Sequence, residues 1–137
     1  MIRVTERNAG QDKLKEATNM IDSKALAGKI AEILDNKGAT DIQILEVGHM
    51  TSITDFFVVA SGRNVQFVHT LAEDLEERLA EEDILPRRKE GKNGARWIVL
   101  DYAHVIVHLF HPEERQYYNI ERLWQDGTNQ QSFEAGN

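Results

Sequence analysis

Two stretches of the chain repeat apolar residues every three or four positions, a spacing that predicts amphipathic helices. The first covers residues 24–37, with Ser23 as a candidate cap at its start and Gly38 as a candidate left-handed stop. The second follows Asn64, another candidate cap, and reaches about residue 82. Its apolar stripe consists of Val65, Val68, Ala72, Leu75 and Leu79.

Strands are predicted where β-branched and aromatic residues cluster between polar breaks. Residues 55–60 (DFFVVA) are almost continuously apolar, which is typical of a central strand buried on both faces. Residues 41–47 and a short stretch at 85–88 form two further candidates. Residues 96–101 and 104–110 are close enough in the chain to pair as a hairpin.

A last helix is predicted from Pro112 to about residue 124, because proline suits the first helical turn. Residues 1–22 lack periodicity and are interpreted as a flexible leader, and residues 125–137 as a polar tail. The folded domain is therefore expected to cover residues 23–124. Its element order, α-β-β-α-β-β-β-α, predicts an α+β fold with a mixed β-sheet flanked by helices.

Alternation along the predicted hairpin sorts its side chains onto two faces. With a two-residue turn at Tyr102 and Ala103, Trp97 would lie opposite His108. One face is aliphatic and should cover the core: Ile98, Leu100, Val105, Val107 and Leu109. The other face is mixed: Trp97, Val99, Asp101, His104, Ile106, His108 and Phe110.

Three interpretations of the mixed face stay open. A helix covers it, or it binds another protein, since tryptophan and tyrosine dominate binding hot spots. The third is a metal site of Asp101, His104 and His108. Positions i and i+4 on a strand are roughly 13 Å apart, which is too far for one ion, so we expect no metal.

Composition and net charge limit the classes of function that the chain can have. The 137 residues are 41% hydrophobic, which is enough for one folded domain. The formal net charge of −7 disfavours nucleic acid and anionic lipid and suits a basic partner. The sequence contains no cysteine, signal peptide or membrane span, so a cytoplasmic location is expected.

Motifs for catalysis are sparse. No GxGxxG, phosphate-binding loop or GxSxG occurs. Ser61-Gly62, at the start of the second helix, resembles the entry of nucleotidyltransferases, but Asp101 lacks the second carboxylate that would hold Mg²⁺. We therefore expect no enzyme and no cofactor. A nucleotidyltransferase-like enzyme or nucleotide-binding protein remains the alternative.

Six ordered blocks of the sequence resemble the ribosomal silencing factor family, also called RsfS/Iojap. The blocks are residues 51–57 (TSITDFF), 60–62 (ASG), 90–91 (EG), 97–102 (WIVLDY), 105–108 (VIVH) and 115–124 (RQYYNIERLW). The resemblance implies a nucleotidyltransferase-like fold without catalytic carboxylates. It also implies binding to the L-fourteen protein of the large ribosomal subunit, which blocks subunit joining and represses translation.

The resemblance further implies partner contacts, and several members of the family form homodimers. By position, the candidate contacts are Trp97, Asp101, Tyr102, Tyr117 and Tyr118. The chain departs from the family where Ala103-His104 replaces the usual Gly-Asp. His104 therefore joins the candidate contacts with one negative charge fewer than the family's acid. Alanine makes a positive φ costly, so a different or longer turn is expected.

Overall fold

Helices and strands alternate along the described part of the chain much as the sequence pattern predicts. The computed structural model describes residues 9–91 and 93–133, with side chains from residue 22 onward. Residues 1–8 of the predicted leader and 134–137 of the predicted tail lie outside the described residues. The helices are α1 (Ala9–Lys37), α2 (Val65–Ala80), α3 (Pro112–Tyr118) and α4 (Ile120–Leu123). The strands are β1 (Thr40–Glu46), β2 (Phe56–Ser61), β3 (Arg88–Glu90), β4 (Trp97–Asp101), β5 (Val105–Phe110) and β6 (Gln130–Ser132).

The strands form one six-stranded sheet in the order β3-β4-β5-β2-β1-β6. β2 pairs parallel to β5, and the other neighbours pair antiparallel, so the predicted α+β class with a mixed sheet is confirmed. β2 lies inside the sheet and is buried at every position, as its apolar run indicates. None of the described helices is long and apolar enough to cross a membrane.

The sheet has two unlike faces. The first, here called the helix-covered face, packs against α1 and α2 and carries the main core. It holds the aliphatic side of the hairpin together with the buried stripe Val68, Leu71, Ala72, Leu75 and Leu79 of α2. The second, here called the open face, carries a smaller apolar cluster around Phe57, Val59 and Phe110. Among the described helices, the short α4 contributes to that cluster, through Ile120.

The hairpin register differs from the predicted one by two residues. Trp97 pairs with Phe110 and Asp101 with Ile106, because the chain turns at Ala103 and His104 instead of one residue earlier. Ala103 adopts a φ of 73°, so alanine takes the left-handed conformation that glycine would adopt more easily. A slip of two residues keeps every side chain on its face, and the two predicted faces of the hairpin are confirmed.

Predicted boundaries fail at four places. Helix α1 begins at Ala9, so Ser23 lies inside it and donates to Asp55 Oδ2 at 2.8 Å instead of capping the helix. The short third strand occupies Arg88–Glu90, later than predicted. The last helix divides at Asn119, whose φ of 46° ends α3. Strand β6 lies within the predicted polar tail and pairs with β1.

Candidate functional site

A groove of about 250 Å³ runs along the open face. Its floor consists of strand side chains that point to the open face. Its walls come from the connection between β1 and β2 and from the end of α4. The lining includes Ile53, Phe57, Val99, Ile106, His108 and Trp124. In its floor Phe57 is buried, whereas Val99 and Ile106 are half-buried and border the open groove.

Large apolar side chains continue beyond the groove floor. Ile53 in the groove wall is 64% exposed, and Leu123, next to Trp124 in the chain, is 72% exposed. Charged residues also border the groove, with Arg88 and Glu90 both on β3. An apolar groove with charged residues at its border is typical of a site that binds another protein.

His108 joins the groove to an aromatic group beside it. Its Nδ1 accepts a hydrogen bond from the Trp97 indole N–H at 3.2 Å, and Phe57 packs edge-on against its ring at 4.8 Å. Burial lowers the pKa of His108 to about 4, so the imidazole is neutral at physiological pH. Because Nδ1 accepts, the single ring proton resides on Nε2.

Trp97 belongs to a row of aromatic rings that extends from the sheet to α3. Its ring stacks on Phe110 at 4.7 Å and contacts Tyr118 at 4.9 Å. Tyr117 packs edge-on against Tyr118 at 5.0 Å and is 81% exposed. We call Trp97, Tyr118 and Tyr117 the aromatic row. The structure thus brings together three of the six predicted contact residues.

The other three predicted contacts lie at the turn end of the hairpin. Asp101 lines the groove, where it accepts from the Arg87 guanidinium at 3.3 Å and from the Ala103 N–H at 2.8 Å. His104 is exposed, with Nδ1 3.2 Å from Asp55 Oδ2. Tyr102 is buried in the core of the helix-covered face, and burial raises the pKa of its hydroxyl, with a further contribution from a nearby glutamate. Tyr102 therefore lies apart from the groove surface.

The residues that suggested a nucleotide site or a metal site make hydrogen bonds within the domain or lie apart from one another. Ser61 Oγ accepts from the buried Arg115 guanidinium at 2.9 Å. The Asn64 side chain caps α2 by accepting from the Phe67 N–H at 2.7 Å, which confirms the predicted cap. Within residues 22–91 and 93–133, no three histidine or acidic side chains converge as metal ligands. His104 lies in the turn and His108 beneath the groove.

Sequence reasoning missed the groove walls and part of its floor. Only Phe57 could have been suspected from the sequence, because it is an aromatic residue inside the apolar DFFVVA run. The parallel register of β2 and β5, which places Phe57 beside Ile106, cannot be derived from local pattern. Ile53 and Trp124 come from irregular segments on either side of the sheet, and only long-range packing brings them together.

The fold and this surface define a class of protein: an α+β domain with one helix-packed sheet face and an apolar, aromatic binding surface on the other. A family model described as "Ribosomal silencing factor during starvation" matches residues 20–136. The match covers most of the chain, including the groove and the aromatic row. The chain belongs to the ribosomal silencing factor family.

Individual relatives agree with this membership. The chain is 33% identical over 106 residues to ribosomal silencing factor RsfS of Bacillus subtilis, covering 77% of this chain and 90% of that protein. It is 29% identical over 123 residues to "Mitochondrial assembly of ribosomal large subunit protein 1" of Mus musculus, covering 87% of this chain and 54% of the mouse protein. A crystal structure of a Chromobacterium violaceum protein superposes with a TM-score of 0.68 at 31% identity, covering 77% of this chain and 90% of the other.

Proposed function

We propose that this protein binds the large ribosomal subunit through ribosomal protein L-fourteen and blocks joining of the small subunit, repressing translation in the cytoplasm. Membership of the ribosomal silencing factor family supports the ribosomal role. The name of the mouse relative, which refers to the large subunit, supports the choice of subunit.

The observation that carries the proposal is the uncovered apolar groove with the aromatic row beside it. Tryptophan and tyrosine are among the residues that most often dominate binding energy. Trp97, Tyr117 and Tyr118 form one end of the proposed docking surface. Asp101 and His104 lie at the other end, and Tyr102 supports the hairpin from beneath.

The mechanism is steric, and no bond is made or broken. A protein seated at the subunit interface prevents the second subunit from approaching, so position and affinity determine its effect. The net charge of −7 favours approach to a basic ribosomal protein and disfavours bare RNA. Three charged side chains, Arg88, Glu90 and Asp101, line the groove beside apolar residues such as Ile53, Val99 and Ile106, so the contact itself is mainly apolar.

Order of addition tests this mechanism. Adding the protein to separated subunits should lower the yield of joined ribosomes in a sucrose gradient. Adding it after joining should have much less effect, because the small subunit then shields the site. Equal inhibition in both orders would contradict steric occlusion.

A pair of matched variants tests the docking surface. Ile53→Asp places a charge in the groove wall and should abolish co-sedimentation with purified large subunits. Leu85→Asp is the control, since Leu85 is 69% exposed, similar to Ile53, and does not line the groove. Loss of binding in both variants, or in neither, would contradict the assignment of the groove.

A further inference from the structure

A buried arginine joins α3, α4 and the sheet. The Arg115 guanidinium donates to both carboxylate oxygens of Glu121, each at 3.0 Å, and to the Ser61 hydroxyl oxygen at 2.9 Å. Arg115 lies on α3, Glu121 lies on α4, and Ser61 is the last residue of β2. The exposed fraction is 10% for the Arg115 side chain and 18% for that of Glu121. A single shielded side chain therefore ties two helices to each other and to the sheet.

The two helices are too short to keep a fixed arrangement through their own backbone. α3 has seven residues and α4 has four, and isolated helices of this length are unstable in water. Between them Asn119 has a φ of 46°, and its N–H donates to the Arg115 carbonyl oxygen at 2.8 Å, so the chain changes direction there. The paired hydrogen bonds from Arg115 to Glu121 span this change of direction. Because a guanidinium–carboxylate pair of this kind has a fixed planar geometry, it limits the angle between the helices.

Each helix carries a different part of the proposed docking surface. α3 ends in Tyr117 and Tyr118 of the aromatic row, and the Tyr118 ring lies 4.9 Å from that of Trp97. α4 leads directly into Trp124, which lines the groove and packs edge-on against Phe57 at 5.2 Å. The ion pair between α3 and α4 therefore lies at the junction of the aromatic row and the groove wall.

Stability alone is a weak reason for burying such a pair. Removing two charges from water costs free energy that offsets much of their mutual attraction, and apolar replacements of similar size are often equally stable or more stable. What the pair supplies is one preferred arrangement, because any other leaves a shielded charge without its partner. That property is useful where a binding surface is assembled from separate elements, since a small displacement of one element weakens binding.

We propose that Arg115 is a positioning residue: its contacts with Glu121 and Ser61 set the spacing between the aromatic row and Trp124, and through that spacing the affinity for the ribosomal partner. This inference rests on the proposed function and adds to it a buried residue that acts through the side chains around it.

A double substitution separates positioning from stability. Arg115→Met alone leaves the Glu121 carboxylate shielded and without its partner, so it should lower stability and affinity together. Arg115→Met combined with Glu121→Met removes both charges, so its melting temperature should stay within about 5 °C of that of the unmodified protein. We expect this double variant to bind purified large subunits about tenfold more weakly, because apolar contacts do not fix the angle between the helices.

Leu75→Ala is the control for a loss of stability away from the docking surface. Leu75 lies on α2 and is fully buried in the main core, so its truncation should lower the melting temperature. At a temperature where both variants are folded, Leu75→Ala should bind large subunits within about twofold of the unmodified protein. Equal affinities of Leu75→Ala and the double variant would refute the positioning role. A double variant that does not fold would also refute it, since the pair would then be needed for stability.

Nuclear magnetic resonance tests the geometry without the ribosome. Nuclear Overhauser effects between the Trp97 and Tyr118 rings, and between the Trp124 and Phe57 rings, report the two parts of the surface. At least one of the two should weaken in the double variant, while those within the main core persist. If both are unchanged, the inference is refuted even where binding is weaker. If the unmodified protein does not bind large subunits, the proposed function fails together with the claim on affinity, whereas these effects still show whether Arg115 sets the spacing.

Discussion

At the residue scale, the buried imidazole of His108 makes the stability of the domain depend on pH. Burial lowers its pKa from 6.5 to about 4, so the unfolded chain binds a proton that the folded protein excludes between these values. The free energy of unfolding should therefore fall as the pH drops from 6.5 toward 4, by roughly 3 kcal/mol in total. Urea denaturation at pH 7, 5.5 and 4.5 measures this change.

The control for this prediction is His108→Asn, which should show a much flatter pH profile over the same interval. Hydrogen bonds from Thr128, with a smaller contribution from His49, lower the pKa of Asp126 from 3.8 to about 2. Its stabilising contribution is therefore lost mainly below pH 4, outside the interval. An equally steep decline in the Asn variant would assign the effect to other groups.

Tyr117 and Leu100 allow binding and stability to be tested separately. Tyr117 is 81% exposed, so Tyr117→Ala should leave the melting temperature nearly unchanged. If the aromatic row docks on the ribosome, the same change should weaken binding by about thirtyfold, corresponding to about 2 kcal/mol. Leu100→Ala, in the main core, should instead cost roughly 2–5 kcal/mol of folding stability.

Calorimetric melting and co-sedimentation of both variants give the comparison. If Tyr117→Ala binds large subunits with unchanged affinity, Tyr117 does not belong to the docking surface. Trp97 is less suitable for this test, because its ring packs on Phe110 and its indole N–H bonds His108, so its removal disturbs folding and binding together.

At the element scale, the turn between β4 and β5 holds Ala103 in a strained backbone conformation that a substitution can relieve. Ala103 has a φ of 73° in a turn where the His104 N–H donates to the Tyr102 carbonyl at 2.9 Å. The left-handed conformation costs a residue with a Cβ roughly 1–2 kcal/mol, whereas glycine adds about 0.4–1 kcal/mol of unfolded-state entropy. Ala103→Gly should therefore stabilise the domain by about 0.5–1 kcal/mol, measured as an increase in the urea midpoint.

Ala103→Val provides the opposite control, since a β-branched side chain tolerates positive φ least. It should destabilise the domain by about 1 kcal/mol or more. A decrease in the urea midpoint for Ala103→Gly would show that the turn is not strained.

Local pattern was sufficient to predict most helices, most strands and the two faces of the hairpin. The hairpin shows why: a shift of its turn by one residue moved every cross-strand pairing by two, yet Trp97 and Leu100 kept their faces because side chains alternate with a period of two. Hydrophobic spacing likewise determines the buried stripe of α2.

The features that escaped prediction depend on contacts far apart in the chain. β6 is a polar segment, QQS, and is a strand only because β1 offers it an edge. The groove requires the parallel register of β2 and β5 and the wall supplied by Trp124. The hydrogen bond between Trp97 and His108 joins two strands whose register differs from the predicted one.

At the scale of the whole molecule, a row of exposed glutamates lies on the opposite side of the sheet from the groove. The exposed glutamates Glu73, Glu77 and Glu81 belong to α2 and the residue after it, on the helix-covered side of the sheet. The groove lies on the other side. If the groove docks on a basic partner, these α2 glutamates act on it at a distance and not through contact pairs.

Salt should accordingly slow association and leave dissociation nearly constant. Screening at an ionic strength of 0.15 M shortens the range of electrostatic attraction to about 8 Å, whereas apolar contacts in the groove are little affected. Surface plasmon resonance with immobilised large subunits, from low to high salt, measures both rates. A constant association rate with faster dissociation would place ion pairs inside the interface.

Strand β6 affects how readily the protein can aggregate through the edge of its sheet. It pairs with the edge of β1, a strand whose Ile42 and Leu45 are buried and whose backbone would otherwise face solvent. An uncovered edge of that kind can recruit strands from other molecules and begin aggregation. Three polar residues therefore close one side of the sheet, and the opposite side ends in the charged strand Arg88–Glu90. Both edge strands of the sheet are therefore polar or charged, which disfavours edge-to-edge pairing between molecules.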